Sequence, residues 1–259
     1  MARRWVALMF LGVLVGSAAG AADREVLFQV STLDALLAGV YDRAITIGEL
    51  RHQGDTGLGC FAALDGEMVV LDGQCYQVRS DGSVHRATDH MGSPFAAVTF
   101  FDRDREVRLE QPLDLPGLSA LAEAQLPSRN MFCMFRLDGD FAYVKTRSVP
   151  RQRRPYPKLA TIAAQQPTFE FSNASGTLVG LYCPYFVAGA NLPGFHWHFL
   201  NAARTGGGHL LACRLTRGTL GLDPTPRYLL SLPQSPAFLR VQTAAPDAAG
   251  AQQVEQDRE

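Results

Sequence analysis

Short apolar runs separated by turn residues dominate the chain between residues 55 and 215. The clearest pattern places three Asp-Gly pairs, at 65–66, 72–73 and 81–82, between the runs FAAL, EMVVL, QCYQVRS and SVHRA. Because Asp and Gly both tolerate positive φ angles, an Asp-Gly pair between β-prone runs is a strong hairpin signal. The pattern therefore predicts an antiparallel meander of four strands.

The rest of the chain also reads mainly as strands. PFAAVTFF (Pro94–Phe101) predicts a further strand, and MFCMFRL-DGD-FAYVKTRSV predicts a hairpin with its turn at Asp138–Asp140. After a proline-rich break at Pro150–Pro157, strands resume with TFEFSN, a turn at NASG, then TLVGLYCPYF, GFHWHFL and HLLACRL. Helical spacing of apolar residues is limited to three short segments, 31–42, 118–125 and 158–165.

These patterns predict an α+β fold with mixed, mainly antiparallel β-sheets and few short helices. The proline-rich break is the best candidate boundary between two β-rich halves. The first half would span residues 23–150. The second would span 158–259 and carry the candidate metal site and a polar C-terminal tail.

The N-terminus has the order of a secretory signal peptide. Arg3 and Arg4 precede an apolar run, Trp5–Val15, which small residues follow. This run is shorter than the ~20 residues that span a bilayer, so an uncleaved anchor is the weaker alternative. We expect residues 1–22 to be removed and the mature protein to be periplasmic or secreted, with no stable membrane anchor.

Composition excludes some classes of function. The chain has 24 basic and 25 acidic residues, a formal charge of −1, without the basic excess of a nucleic-acid-binding protein. Hydrophobic residues make up 47% of the chain, which excludes a disordered protein. The five cysteines are odd in number and form no CxxC pair, so we expect buried free thiols rather than a disulfide framework.

The segment that carries chemistry is GFHWHFL followed by GGGH. On a strand, residues i and i+2 point to the same side, so His196 and His198 share one face and Trp197 lies on the other. An antiparallel return of the chain would bring His209 opposite His198. Three neutral imidazoles that converge in this way suit Zn²⁺ and leave a position open for substrate. Mn, Fe, Co or Ni would also be accepted by such a site.

A histidine in a strand is usually only a satisfied polar residue, and an HxH motif alone is a weak signal. Here, however, three of the six histidines fall within fourteen residues at strand-compatible spacing. This concentration favours a metal site. A cupin-like metal oxygenase or isomerase also uses HxH, but its glutamate usually follows four to six residues later, where this chain has Ala202, Ala203 and Arg204.

Six stretches of the chain together resemble bacterial α-acetolactate decarboxylases, from about Leu27 to Phe238. They are GDTGLGCFAALDGEMVVLDGQCYQV, PFAAVTFF, RRPYPKL, SGTLVGLYCPYF, GFHWHFL and GGHLL. The resemblance implies a zinc ion bound by the three histidines, a small-molecule substrate (2-acetolactate) and a homodimer. It also implies that Glu67 and Arg147 act in catalysis, with Arg147 also contacting the substrate.

Two further positions follow from the same resemblance. A glutamate of the C-terminal tail is expected to reach the metal; Glu255 matches best by position, with Glu259 and Glu170 as alternatives. Where the family usually has threonine in GLGTF, this chain has Cys60, which we expect to contact the substrate and to alter its orientation.

The function expected from these residues is the metal-dependent decarboxylation of 2-acetolactate to acetoin and CO₂. No organic cofactor is required, because the substrate ketone can accept the electrons that CO₂ leaves behind. The alternatives are the cupin-like enzyme and an exported metal-binding protein without catalytic activity.

Overall fold

A computed structural model describes residues 24–243 of the chain. Strands dominate and the helices are short, as predicted. The strands are β1 (Val26–Val30), β2 (Ile45–Thr46), β3 (Thr56–Cys60), β4 (Glu67–Leu71), β5 (Gln74–Val78), β6 (Val84–Arg86), β7 (Gly92–Ser93), β8 (Phe95–Thr99), β9 (Arg105–Leu109), β10 (Leu113–Asp114), β11 (Phe132–Arg147), β12 (Thr168–Cys183), β13 (Gly194–Asn201), β14 (Gly207–Thr225) and β15 (Arg227–Ser231). The helices are α1 (Leu33–Leu37), α2 (Ile47–Arg51), α3 (Leu115–Gln125), α4 (Leu159–Ala163) and α5 (Pro236–Arg240).

Seven strands form the first sheet, in the order β15-β1-β8-β3-β4-β5-β6. All neighbours are antiparallel except β1 and β15. The hairpins at Asp72-Gly73 and Asp81-Gly82 are confirmed. The Asp72 and Gly73 φ angles of 51° and 70° are those of a tight two-residue hairpin turn.

The prediction of the first strand of the meander, at FAAL, is wrong. Within FAAL (61–64), Ala62–Leu64 form a turn of 3₁₀-helix in which Ala63 has a φ of 59°. The strand lies just before this stretch, in β3. Its glycines hid it from the sequence pattern, yet they let β8 approach closely. A Cβ atom at Gly57 would lie 2.1 Å from the Ala97 carbonyl oxygen.

The second sheet has the strand order β10-β14-β11-β12-β13, with β9 beside β14 and a further pairing of β13 with β14. The predicted turns at Asp138–Asp140 and at NASG are both wrong, because β11 and β12 run through them as single strands of 16 residues each. Gly139 is paired with Gly176 on one side and Gly218 on the other. With both neighbouring strands hydrogen-bonded to it, the segment stays extended despite its turn composition.

The predicted helices at 118–125 and 158–165 are confirmed: α3 (Leu115–Gln125) and α4 (Leu159–Ala163) lie there, with different bounds. The predicted helix 31–42 is shorter than expected. The hydroxyl of Thr32 accepts a hydrogen bond from the Ala35 amide at its start, and Gly39 follows its end with a φ of 96°.

The two large sheets share an apolar core. Val69 and Leu71 of β4 pack with Val179 and Leu181 of β12 in one cluster of buried residues. A second cluster on the other face of the second sheet includes Trp197 and residues of α3. Strand β11 lies before the segment 150–157 and its partners β12 and β14 lie after it, so this proline-rich segment does not separate the sheets.

All five cysteines are buried free thiols, as expected. Within residues 24–243, no helix combines the length and apolar character needed to cross a membrane. The predicted signal peptide, 1–22, and Glu255 lie outside the described residues.

Candidate metal centre

The three predicted histidines meet at one end of the β13–β14 hairpin. His196 and His198 lie on the same face of β13, while Trp197 and Phe199 on the opposite face pack into the core. The chain returns through a turn closed by the Asn201 amide donating to the Gly206 carbonyl, 2.9 Å away. This turn sets His198 and His209 directly opposite each other, as predicted.

Their ring nitrogens converge within a small volume. His196 Nε2 lies 3.1 Å from His198 Nε2 and 2.9 Å from His209 Nδ1. Burial and the nearby positive charge of Arg147 lower the pKa of His196 to about 3, so its ring is neutral at physiological pH. Neutral imidazoles are the form that binds a metal.

The chemistry of this donor set fits a transition-metal ion. Three imidazole nitrogens at the usual 2.0–2.1 Å around a tetrahedral metal lie about 3.3 Å apart, close to the separations observed between His196 and its two neighbours. His198 Nδ1 lies 2.8 Å from the Met68 carbonyl oxygen. Because a carbonyl only accepts, Nδ1 carries the proton and Nε2 keeps its lone pair for a ligand bond.

Glu67 reaches the cluster from the opposite sheet. It begins β4 and is paired with Cys60 on β3. Its carboxylate Oε2 lies 3.7 Å from His198 Nε2, and the residue is buried. Glu67 shares its strand face with Val69 and Leu71 in the core, so the strand pattern directs the carboxylate inwards.

Arg147 ends β11 opposite His209 and is buried. The register requires a close backbone approach at Gly208, whose φ is 130°. A Cβ atom there would lie 2.4 Å from the Arg147 carbonyl oxygen. Glycine at 208 therefore lets the buried guanidinium and the three histidines share one site.

A family model of α-acetolactate decarboxylase matches residues 27–244, most of the chain. The chain belongs to the α-acetolactate decarboxylase family.

Individual relatives agree with this assignment. The α-acetolactate decarboxylase of Methanosarcina mazei is 46% identical over 214 residues, which cover 83% of this chain and 74% of the relative. The α-acetolactate decarboxylase of Methylococcus capsulatus is 42% identical over 220 residues, which cover 85% of this chain and 84% of the relative. The crystal structure of the α-acetolactate decarboxylase from Bacillus subtilis strain 168 superposes with a TM-score of 0.88 at 34% identity, covering 90% of this chain and 100% of that one.

This member of the decarboxylase family has a pocket in front of its histidines, with an empty volume of about 500 Å³ that is partly open to solvent. Its polar lining includes Glu67, Arg147, His196 and His209. Its apolar wall comes from helical segments, loops and the start of β8: Leu33, Leu36, Leu64, Phe95, Val149, Leu159 and Leu192.

Cys60 also lines this pocket and is buried. Its Sγ lies 3.9 Å from the Phe95 carbonyl oxygen. The structure thus brings together six of the seven candidate residues. Glu255, the seventh, lies outside the described residues.

Sequence reasoning missed two amide side chains in the pocket lining, Gln166 and Asn191. Asn191 is held by buried hydrogen bonds: its Nδ2 donates to Gln29 Oε1 at 2.6 Å, and its Oδ1 accepts from the Leu192 amide. Gln166 accepts a hydrogen bond from Arg147. Neither residue belongs to a motif with chemical spacing, so nothing local in the sequence marks them.

Proposed function

We propose that this chain removes CO₂ from 2-acetolactate to give acetoin, using a metal ion held by His196, His198 and His209. The observation that carries the proposal is the convergence of three imidazoles with a buried arginine and a buried carboxylate at one site. Family membership supplies the reaction. It favours this function over the cupin-like enzyme and the non-catalytic metal-binding protein.

The substrate carries its own electron acceptor. Its carboxylate leaves a carbon that also bears a hydroxyl and is adjacent to a ketone, so the electron pair left by CO₂ can pass to the ketone oxygen as an enediolate. A divalent metal bound at the three histidines would act as a Lewis acid towards the ketone and hydroxyl oxygens and lower the free energy of this negative charge.

Arg147 is suited to hold the carboxylate. A guanidinium presents parallel N–H donors that match the two carboxylate oxygens, and burial makes such a contact stronger than it is in water. Strand β11 and its pairing with β14 position Arg147 beside His209, so a bound carboxylate would lie next to the metal ligands.

Glu67 is suited to deliver the proton that replaces CO₂. Glu67 and Arg147 lie on different sheets, which face each other across the site. A proton from Glu67 would therefore reach the enediolate from one side only and fix the configuration of acetoin. Glu255 stays the predicted tail residue that completes the site.

Zinc is our proposal for the metal, because a three-histidine site with an open position is typical of catalytic zinc. The test is acetoin formation from racemic 2-acetolactate by the purified mature protein, with and without a chelator. We expect chelation to abolish activity and Zn²⁺ to restore it more fully than Mn²⁺, Fe²⁺, Co²⁺ or Ni²⁺. No acetoin from a folded, metal-loaded protein would contradict the proposed reaction. Undiminished activity after complete metal removal would contradict the role of the metal.

We also propose export after removal of residues 1–22, on the order of charged, apolar and small residues in that segment, and a homodimer, on the family resemblance. Exposed aromatic side chains such as Tyr185 and Phe186 are compatible with a subunit contact. N-terminal sequencing of the mature protein would test the first proposal, and sedimentation equilibrium the second.

A further inference from the structure

Gln166 is held beside the catalytic arginine by the backbone. It precedes Pro167, whose carbonyl accepts from the Ser148 amide at 3.1 Å. Thr168, the first residue of β12, is paired with Arg147. The β11–β12 ladder therefore begins where Gln166 and Arg147 meet, and the position of the glutamine is tied to that of the arginine.

The orientation of the Gln166 amide follows from chemistry. Arg147 Nη1 donates a hydrogen bond to Gln166 Oε1. A guanidinium has only donors, so the amide must turn its oxygen towards Arg147 and its NH₂ group away. The Nε2 atom is therefore the amide atom that faces away from Arg147. The Gln166 side chain lines the same pocket as His196 and His209.

This NH₂ group is a buried donor without a hydrogen-bond partner among residues 24–243. Leaving a buried donor unsatisfied costs about 1–3 kcal/mol, so such atoms are usually explained by a ligand or another function. The donor lies next to the arginine that we expect to bind a carboxylate.

We propose that Gln166 is a substrate-binding residue: its Nε2 donates a hydrogen bond to the carboxylate of the bound 2-hydroxy-3-keto acid, while its Oε1 positions Arg147. The inference rests on the proposed function for the identity of the ligand. It assigns the glutamine two separate contacts, one that holds the arginine and one that recognises the carboxylate.

The two contacts can be separated by substitution. In Gln166→Glu, the carboxylate still accepts from Arg147 but no longer has an N–H donor for the ligand. Gln166→Met has a similar length and loses both contacts. Gln165→Glu is the matched control, because it adds the same charge at the neighbouring exposed residue.

The measurement is calorimetric binding to the zinc-loaded protein of two ligands that cannot react. One is 2,3-dihydroxy-2-methylbutanoate, in which a hydroxyl replaces the substrate ketone; the other is butane-2,3-diol, which lacks the carboxylate. We expect Gln166→Glu to weaken binding of the acid about 10- to 100-fold, the effect of one lost hydrogen bond to a charged group, and to leave diol binding nearly unchanged. Gln165→Glu should bind both ligands as the unmodified protein does.

Normal binding of the acid by Gln166→Glu would overturn the inference. Weaker binding alone does not separate the lost hydrogen bond from repulsion between the new carboxylate and that of the ligand. A double-mutant cycle with the uncharged Gln166→Met removes this repulsion, and it also serves if Gln166→Glu loses its fold or its metal. Gln166→Met should weaken acid binding further in an Arg147→Ala background, whereas no further effect would overturn the direct contact.

Turnover of 2-acetolactate by the unmodified protein is measured alongside. Absence of acetoin there would count against the proposed reaction. If the unmodified protein is active but Gln166→Glu changes the affinities for the acid and the diol equally, only the role of Gln166 is contradicted.

Discussion

His198 Nδ1 lies 2.8 Å from the backbone carbonyl oxygen of Met68, so a proposed metal ligand on one sheet is held by the main chain of the other. Met68 directly follows Glu67 in β4. The same contact therefore fixes the tautomer of His198 and holds its ring close to Glu67. The site depends on the packing of the two sheets as much as on the hairpin that carries the histidines.

Replacement of a histidine ligand should remove both metal and activity. His196→Ala and His209→Ala each delete one of three converging nitrogens, and we expect metal affinity to fall more than about 100-fold, beyond the effect of losing an outer contact. Elemental analysis after dialysis checks this. His85→Ala, at an exposed histidine of β6, should keep its metal. Full metal content in both ligand variants would exclude this site.

Arg147→Ala should separate turnover from metal binding. The variant loses the proposed contact to the carboxylate, so kcat/KM should fall about 100-fold or more while the metal content stays unchanged. Arg108→Ala, at an exposed arginine of β9, is the control and should behave as the unmodified protein. Near-normal turnover of Arg147→Ala would show that another group orients the carboxylate.

Gly208→Ala should destabilise the protein more than Gly73→Ala. Both glycines have positive φ, which costs a side chain about 1–2 kcal/mol. Only at Gly208 would the new Cβ meet a backbone carbonyl, that of Arg147, so the total loss should reach about 3 kcal/mol or more. Urea unfolding measures both variants. Equal losses would mean that the backbone around Arg147 relaxes without cost.

Asp223 should make stability depend on pH. Burial, opposed by a hydrogen bond from the Asp102 amide and reinforced by the nearby carboxylates of Glu25, Asp104 and Asp102, raises the pKa of this buried carboxyl from 3.8 to about 7. The folded state then holds the proton more tightly than the unfolded state. Protonated Asp223 therefore adds to the free energy of unfolding. This addition is fully present below about pH 4 and is lost as the pH rises through about 7, a loss of at most about 4 kcal/mol.

Asp223→Asn removes this titration and keeps an oxygen to accept from Asp102. Relative to the variant, the unmodified protein should therefore lose stability between pH 5 and pH 8, as measured by urea unfolding at each pH. A constant difference across that range would show that Asp223 titrates normally. Asp140→Asn, at a carboxylate on the protein surface, should show no such loss over the same range.

The sequence by itself determined the histidine cluster, because its geometry is local. Alternation along β13 places His196 and His198 on one face, and a short turn returns His209 to the position opposite. The Asp-Gly hairpins after β4 and β5 and the free, buried cysteines follow from equally local preferences of turn residues and of apolar runs. The family resemblance extended this reading to Glu67, Arg147 and Cys60.

Only the tertiary structure decided how those residues meet. Glu67 and His198 are far apart in the chain and lie on different sheets, and no local periodicity specifies which faces of two sheets pack together. Long-range pairing also overrode the turn composition at Asp138–Asp140, since hydrogen bonds to two flanking strands outweigh a local preference to bend. The contact between Gln166 and Arg147 has the same origin: it exists because β12 pairs with β11, a relation set by the whole sheet.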